Sequence, residues 1–274
     1  MTRRCALLLS VNAPLVAQRP VPAPAPVQWS PHPVFNGAPV LFQSKTYSGP
    51  ATWVGKEIEF RPDGDGFSAL AGVNLNRPPG RIPLVFGGET VEIPVTARAY
   101  RTSTITVPQK FVEPPKETLA RIAAEVAIKQ KVFKSSVPER LWRGAFTAPA
   151  NTRYTSSFGV RRTYNGKTQS VHQGLDYSAA FGTEIKAANA GRIVVAQDMY
   201  FEGGFVVIDH GESIFTLYMH LSEFTVKAGD AIEKGAPIAK SGASGRATGP
   251  HLHFAVQWQG VYMEPSTLLG LWPA

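Results

Sequence analysis

Two histidines separated by one residue constrain the fold of this chain more than any other feature. His251 and His253 lie at the end of the glycine-rich stretch GASGRATGPHLHF, residues 242–254. Successive side chains of an extended strand point to opposite faces, so both imidazoles would share one face and Leu252 would occupy the other. The pattern predicts a strand whose two histidines lie roughly 6.5–7 Å apart between Cα atoms. This spacing suits one imidazole on a metal ion and the other beside a water held by that ion.

Further ligands for such an ion occur in the segment VHQGLDYS, which carries His172 and Asp176. On a straight strand these residues would lie about 13 Å apart, and Gly174 between them argues against a helix. We therefore expect a loop that bends at Gly174 and brings both side chains to one point. With His253 they form a set of two nitrogens and one oxygen, which a Zn²⁺ ion accepts while keeping a fourth position for water.

The C-terminal part of the chain, segment 158–265, resembles the lysostaphin-like zinc endopeptidases, which cut peptide cross-links in bacterial cell walls. The resemblance is carried by ordered blocks: FGVRR (158–162), HQGLD (172–176), GTEIKAANAGRIV (182–194), VVIDHG (206–211), YMHLS (218–222), VKAGDAIEKGAPIAKSG (226–242) and SGRATGPHLHF (244–254). It implies one zinc ion per chain with His172, Asp176 and His253 as ligands, His251 as general base and His220 as second catalytic histidine. None of these five positions departs from the family pattern.

The activity implied by the resemblance is metal-assisted hydrolysis of an amide bond in a stem peptide or cross-link of peptidoglycan. His251 would take the water proton, and His220 would stabilise the oxyanion or protonate the leaving amine; the sequence does not separate these roles. One alternative is an envelope-binding protein that activates another cell-wall hydrolase, although such a regulator should lack a zinc ligand. Another is a wall-adhesion module built on the N-terminal part of the chain.

The composition fits a globular protein that works near polyanions. Hydrophobic residues make up 43% of the 274 residues, no apolar run is long enough to span a membrane, and the formal net charge is +8. A basic surface favours nucleic acid or an anionic envelope. Because no nucleic-acid motif is present, we expect no nucleic acid as a partner, and the metal site favours an anionic envelope. The resemblance implies peptidoglycan as the partner; a basic protein without a specific polyanion stays open.

The N-terminus carries the features of an export signal. A basic start, a short apolar patch and small residues at Ala13 and Ala17 predict a signal peptide over residues 1–19. Cys5 is the single cysteine of the sequence, so no intrachain disulfide can form. Proline-rich residues 20–33 predict an extended linker. We therefore expect a periplasmic or cell-envelope location, with no stable membrane insertion after cleavage.

The predicted fold class is mainly all-β. Alternating apolar residues and turn signals predict a small β-sandwich over 34–112. Residues 113–136 predict a connecting helix whose apolar side, including Leu119, Val126 and Phe133, faces a core. Residues 137–274 are expected to form an antiparallel β-sandwich by resemblance. Since every histidine but His32 follows residue 170, we expect a chain beginning near residue 137 to fold and act alone.

Overall fold

The structure, a computed structural model, describes residues 27–272. The predicted signal peptide with Cys5 and linker residues 20–26 lie outside the described residues. The N-terminal strands are β1 (Gln28–Ser30), β2 (Val34–Phe35), β3 (Pro39–Ser44), β4 (Gly49–Trp53), β5 (Lys56–Asp63), β6 (Gly66–Gly72), β7 (Gly80–Phe86), β8 (Glu89–Thr96) and β9 (Thr102–Ile105). Helix α1 (Leu119–Phe133) follows. The C-terminal elements are β10 (Tyr154–Ser156), β11 (Arg161–Tyr164), β12 (Thr168–Val171), β13 (Leu175–Tyr177), β14 (Glu184–Lys186), β15 (Gly191–Met199), β16 (Gly203–Asp209), β17 (Ile214–Phe224), β18 (Ala231–Ile232), β19 (Pro237–Ser241), β20 (Leu252–Trp258), β21 (Val261–Met263) and α2 (Pro265–Leu269).

The N-terminal strands form one sheet in the order β1-β3-β6-β5-β4-β7-β8-β2. Strand β5 pairs with β4 along its first part and with β6 along its last part, so it joins the two halves of the sheet. Alternate residues of β7, namely Ile82, Leu84 and Phe86, are buried, which is the pattern of a strand with one face on a core. The expectation of a mainly β chain is confirmed.

Strand β1 lies inside the segment predicted as a linker, so residues 28–30 belong to the N-terminal sheet instead. Trp29 pairs with Phe42 of β3 and packs against the hydrophobic core, next to the buried Val27. The free energy gained by burying these two apolar side chains exceeds the preference of the neighbouring prolines for a solvated chain.

Helix α1 falls within the predicted helical segment, but its apolar face is not the buried one. Leu119 and Val126 are exposed, and the buried side chain of the helix is Glu125. The reason is the backbone beneath it: the Tyr200 N–H, after β15, donates to Glu125 Oε2 at 2.9 Å. Phe133, at the C-terminal end, does pack against the core of the sheet.

The C-terminal sheet has the order β10-β13-β20-β17-β16-β15-β18, with β14, β19 and β21 at its margins. Its strand pairs are antiparallel, and β20 lies between β13 and β17. The apolar runs around Ile193, Phe205, Ile214, Ile238 and Leu252 all form strands, as predicted. The sheet therefore places the HLH segment at its centre.

A third sheet joins the two parts of the chain. Strand β9, which comes from the segment assigned to the N-terminal domain, pairs in parallel with β11, and β11 pairs with β12. Ser103 of β9 lies opposite Arg162 of β11. The predicted domain boundary at residue 112 therefore separates β9 from β11, although the two strands belong to the same sheet.

Candidate metal centre and its groove

Two side chains of the centre meet because their strands pair. Asp176 of β13 lies directly opposite His253 of β20 in the antiparallel register. Opposed residues point to the same face with Cβ atoms about 5 Å apart, so the side chains converge. His253 Nδ1 lies 2.8 Å from Asp176 Oδ1, while the neighbouring Leu252 and Phe254 are buried on the other face.

His172 joins them from the connection between β12 and β13, which bends at Gly174. Its Nε2 atom lies 2.9 Å from Asp176 Oδ1 and 3.0 Å from His253 Nδ1. Gly174 is required here, because a Cβ atom at this position would lie 2.5 Å from His253 Nε2. Because the residue at the bend has no side chain, the imidazoles of His172 and His253 can approach each other.

The donor set of these three residues fits a cation. His172 Nδ1 lies 2.7 Å from the Ser157 carbonyl oxygen, so this nitrogen carries the proton and Nε2 presents a lone pair. That lone pair faces the Asp176 carboxylate and His253 Nδ1, and the ligand atoms of all three residues lie within 4.8 Å of one another. Such a cluster of electron-rich atoms is stabilised by a positive ion between them.

The protonation states support the same interpretation. Burial lowers the pKa of His172 to about 4, against the opposing effect of Asp176. Burial acts to raise the pKa of Asp176, but the adjacent imidazoles of His172 and His253 hold it well below its usual range. At neutral pH the centre therefore offers a carboxylate and a neutral imidazole, the forms that bind metals.

Arg162 contacts the same carboxylate and was missed by the sequence analysis. Its Nη2 atom donates to Asp176 Oδ2 at 2.6 Å and to Ser156 Oγ at 2.8 Å. The guanidinium therefore occupies one carboxylate oxygen and leaves Oδ1 facing the histidines. The tandem arginines of the FGVRR block were the available signal, but only the fold shows which one turns inward.

His251 and His220 form the other side of the centre. His251 Nε2 lies 3.9 Å from Asp176 Oδ1, and the ring centroids of His251 and His220 are 4.7 Å apart. Backbone carbonyls hold both rings: His251 Nδ1 lies 2.8 Å from the Gly249 oxygen and His220 Nδ1 lies 2.9 Å from the Ser244 oxygen. Each ring is thereby fixed in one orientation.

His220 is held in a strained backbone conformation. Its φ of 65° lies in the left-handed region, which residues with a side chain rarely adopt, and the pairing of β16 with β17 shifts register here. Burial lowers the pKa of His220 to about 3, aided by the nearby charges of His251 and His253. Strain of this kind clusters at functional sites.

The remaining two histidines lie elsewhere. His210 is fully buried, with Nδ1 2.7 Å from the Ala190 oxygen and Nε2 2.7 Å from Thr216 Oγ1, so it supports the turn between β16 and β17. His32 is exposed beside Trp29, with ring centroids 5.4 Å apart.

Two cavities that share lining residues form a groove over the centre. One, of about 250 Å³, is lined by His172 and His253, and the other, of about 410 Å³, by Asp176 and His251; His220 lines both. The N-terminal part of the chain contributes Ser103, Ile105 and Val107 to the second cavity. A larger cavity of about 540 Å³ lies between the two domains and is lined by none of the histidines.

Comparison with known proteins finds similarity over the segment that carries this centre. The sequence profile of Peptidase family M23 matches residues 170–265. The chain is 37% identical over 117 residues to the peptidoglycan DD-endopeptidase ShyC of Vibrio cholerae, covering 42% of this chain and 27% of ShyC. It is 37% identical over 114 residues to the DD-carboxypeptidase/endopeptidase Mpg of Neisseria meningitidis, covering 42% and 26% of the two chains.

A solved structure extends the likeness beyond the matched segment. The crystal structure of a candidate M23 peptidase from Pseudomonas aeruginosa superposes with a TM-score of 0.67 at 25% identity, covering 88% of this chain and 96% of that one. The chain spans about a quarter of the length of the curated relatives it matches. Among the described residues, no helix is both long and apolar enough to cross a membrane.

Proposed function

Since the chain carries a domain of peptidase family M23, we propose that the protein is a zinc-dependent endopeptidase that hydrolyses peptide cross-links or stem peptides of bacterial peptidoglycan. The observation that carries the proposal is the cluster of His172, Asp176 and His253, whose ligand atoms lie within 4.8 Å of one another beside two further histidines. The activities named for the Vibrio and Neisseria relatives supply the substrate class. Action in the cell envelope follows from that substrate.

His172, Asp176 and His253 would hold the ion. Two nitrogen ligands and one oxygen ligand with a remaining open position are the arrangement of catalytic rather than structural zinc. When bound, zinc would polarise the scissile carbonyl and lower the pKa of the attacking water. Arg162 keeps Asp176 directed at the ion through one oxygen, because its other oxygen is occupied at 2.6 Å.

The two remaining histidines would move protons and stabilise charge. His251 Nδ1 donates to the Gly249 carbonyl, so its Nε2 atom is the basic nitrogen and can take the proton of the attacking water. His220 Nδ1 is fixed in the same way by Ser244, with its ring beside His251. It would stabilise the developing oxyanion or serve the leaving amine.

The test is release of peptide fragments from purified peptidoglycan, followed by mass spectrometry, with and without a chelator. We expect cleavage that the chelator abolishes and zinc restores, and one zinc ion per chain by metal analysis. His172→Ala, Asp176→Ala and His253→Ala should each lose most of the zinc and the activity, because two ligands hold the ion poorly. His32→Ala, which removes an exposed histidine, is the matched control and should keep both.

Two outcomes would contradict the proposal. Stoichiometric zinc in all three ligand variants would show that the ion binds elsewhere. A zinc-loaded protein that binds peptidoglycan without cleaving it, yet increases cleavage by a second hydrolase, would favour the role of an activating envelope protein.

A further inference from the structure

One arginine in the groove has no acidic partner. Arg246 lies in the glycine-rich loop and lines both cavities over the metal centre. The other two cations of these cavities are neutralised, since Arg162 pairs with Asp176 and Lys129 pairs with Glu202. Within residues 27–272, the Arg246 guanidinium has neither a carboxylate nor a hydrogen-bond acceptor, so its N–H groups are available.

Two aromatic rings hold this guanidinium in place. Arg246 Cζ lies 4.5 Å from the centroid of the Tyr164 ring and 5.2 Å from that of Phe201. A planar guanidinium that rests on aromatic faces keeps its N–H edge for another acceptor. The rings also reduce the side-chain entropy that would be lost when that acceptor binds.

The loop that carries Arg246 is itself fixed. The Arg246 N–H donates to the Phe201 carbonyl at 2.8 Å. Ser244 Oγ accepts from the Gly204 N–H at 2.8 Å and donates to the Leu221 carbonyl at 2.7 Å. The same Ser244 orients His220 through its carbonyl oxygen, at 2.9 Å. The position of Arg246 is therefore coupled to that of a proposed catalytic histidine.

We infer that Arg246 binds a carboxylate of the peptide substrate and makes the enzyme selective for acidic over amidated stem peptides. A carboxylate is the acceptor that matches a guanidinium edge in two parallel hydrogen bonds. Arg246 and the histidines line the same cavities, so a peptide in the groove meets both groups. This inference rests on the proposed function, because it names a feature of the substrate of that site.

The experiment compares two synthetic cross-linked stem-peptide dimers, one with free side-chain and α-carboxylates and one with the same groups as carboxamides. For the zinc-loaded full chain we expect kcat/KM for the acidic dimer to exceed that for the amidated dimer by about 10- to 100-fold, the range of hydrogen bonds to charged groups. Arg246→Gln should remove this preference by lowering kcat/KM for the acidic dimer alone. Arg246→Lys, which keeps the charge without the planar edge, should retain part of it.

Matched controls separate this effect from a general loss of charge or structure. Arg192→Gln removes an exposed arginine that lines neither cavity and should leave the preference unchanged. Calorimetric binding of both dimers to the wild type and to Arg246→Gln gives a readout that does not need cleavage. If neither dimer is cleaved but the wild type alone binds the acidic dimer more tightly, the proposed function fails, and with it the selectivity of cleavage, while carboxylate binding by Arg246 stands. If the wild type binds and cleaves both dimers equally, or Arg246→Gln keeps the preference, the inference is wrong.

Discussion

At the scale of single residues, the centre depends on which nitrogen of each histidine is occupied. The carbonyl oxygens of Ser157, Ser244 and Gly249 accept hydrogen bonds from the Nδ1–H groups of His172, His220 and His251, respectively. Under the proposed function, Nε2 of His172 would face the ion and Nε2 of His251 would serve in proton transfer. His253 differs, because its Nδ1 atom is the one that faces Asp176.

The two histidines outside the ligand set should affect turnover without affecting metal content. We expect His251→Ala and His220→Ala to keep zinc and to lose on the order of 10²- to 10⁴-fold in kcat, the usual contribution of an acid–base group. Metal analysis and fragment release measure the two quantities separately. Loss of zinc in either variant would move that residue into the ligand set, and His32→Ala again serves as the unaffected control.

Gly174 gives a steric test of the centre. In Gly174→Ala the new Cβ atom would lie 2.5 Å from His253 Nε2 and 2.6 Å from the Phe254 carbonyl oxygen, so the ring must move. We expect a large loss of zinc affinity, measured by competition with a chelator of known affinity. Gly270→Ala is the control, since its nearest atoms lie at 3.8 Å; equal zinc affinity in both variants would exclude the steric role.

At the scale of elements, strand β11 connects the N-terminal part of the chain to the metal centre. Its Arg162 side chain reaches Asp176, and its backbone pairs in parallel with β9. Asn165, directly after β11, extends this pairing because its side chain binds both backbone groups of Val107 at 2.9 Å. Segment 102–107 is thereby fixed at the edge of the groove.

Removing the Asn165 side chain should release this segment. Asn165 has a φ of 50°, so Asn165→Gly keeps the backbone conformation while losing both hydrogen bonds. We expect a loss of about 1–3 kcal/mol in stability and faster amide exchange over residues 102–107. Asn165→Asp, which keeps the acceptor for the Val107 N–H, should show a smaller change. Unchanged amide exchange in Asn165→Gly would show that the backbone hydrogen bonds between β9 and β11 are enough to hold β9 in place.

At the scale of the whole molecule, both halves of the chain share one partly buried polar cluster. Glu212, between β16 and β17, accepts from Arg61 at 3.1 Å, Arg140 at 2.9 Å and Trp142 Nε1 at 3.0 Å. Arg140 also donates to the Ser68 carbonyl at 2.7 Å, which ties the cluster to the N-terminal sheet. One hydrophobic core likewise contains buried side chains from both halves.

We therefore expect a single cooperative unfolding transition that Glu212 helps to hold together. Glu212→Gln leaves the nearly buried Arg140 without its counter-charge, and because the pair is partly exposed we expect a cost of up to about 3 kcal/mol, the lower end for a buried pair. Glu223→Gln, whose pair with Lys240 is half-exposed, should cost at most about 1 kcal/mol. Calorimetry measures both; two separate wild-type transitions would contradict the shared core.

This shared structure changes the expectation for a chain that begins near residue 137. Such a chain would lack β9, together with Val107 and Phe111, which pack against Tyr164. It would also expose apolar side chains of the C-terminal sheet that the N-terminal sheet covers. We now expect the shortened chain to be less stable and to bind zinc more weakly than the full chain, instead of acting alone.

The sequence by itself determined what depends on local pattern. Alternation along His251, Leu252 and His253 specified a strand with one polar face, and Gly174 between His172 and Asp176 specified a bend. Apolar runs marked the strands of the C-terminal sheet. These features follow from the two-residue period of a strand and from glycine chemistry, both of which are readable without the fold.

Only the tertiary structure decided what depends on strand register and on long-range contacts. Register sets Asp176 opposite His253, Arg162 against Asp176 and β9 beside β11, and no local pattern encodes which strands pair. On α1, the prediction was wrong for Leu119 and Val126, which are exposed, whereas Phe133 packs against the core as predicted. Glu125 is buried in their place and accepts a hydrogen bond from the Tyr200 N–H, a contact between distant parts of the chain that no local pattern encodes.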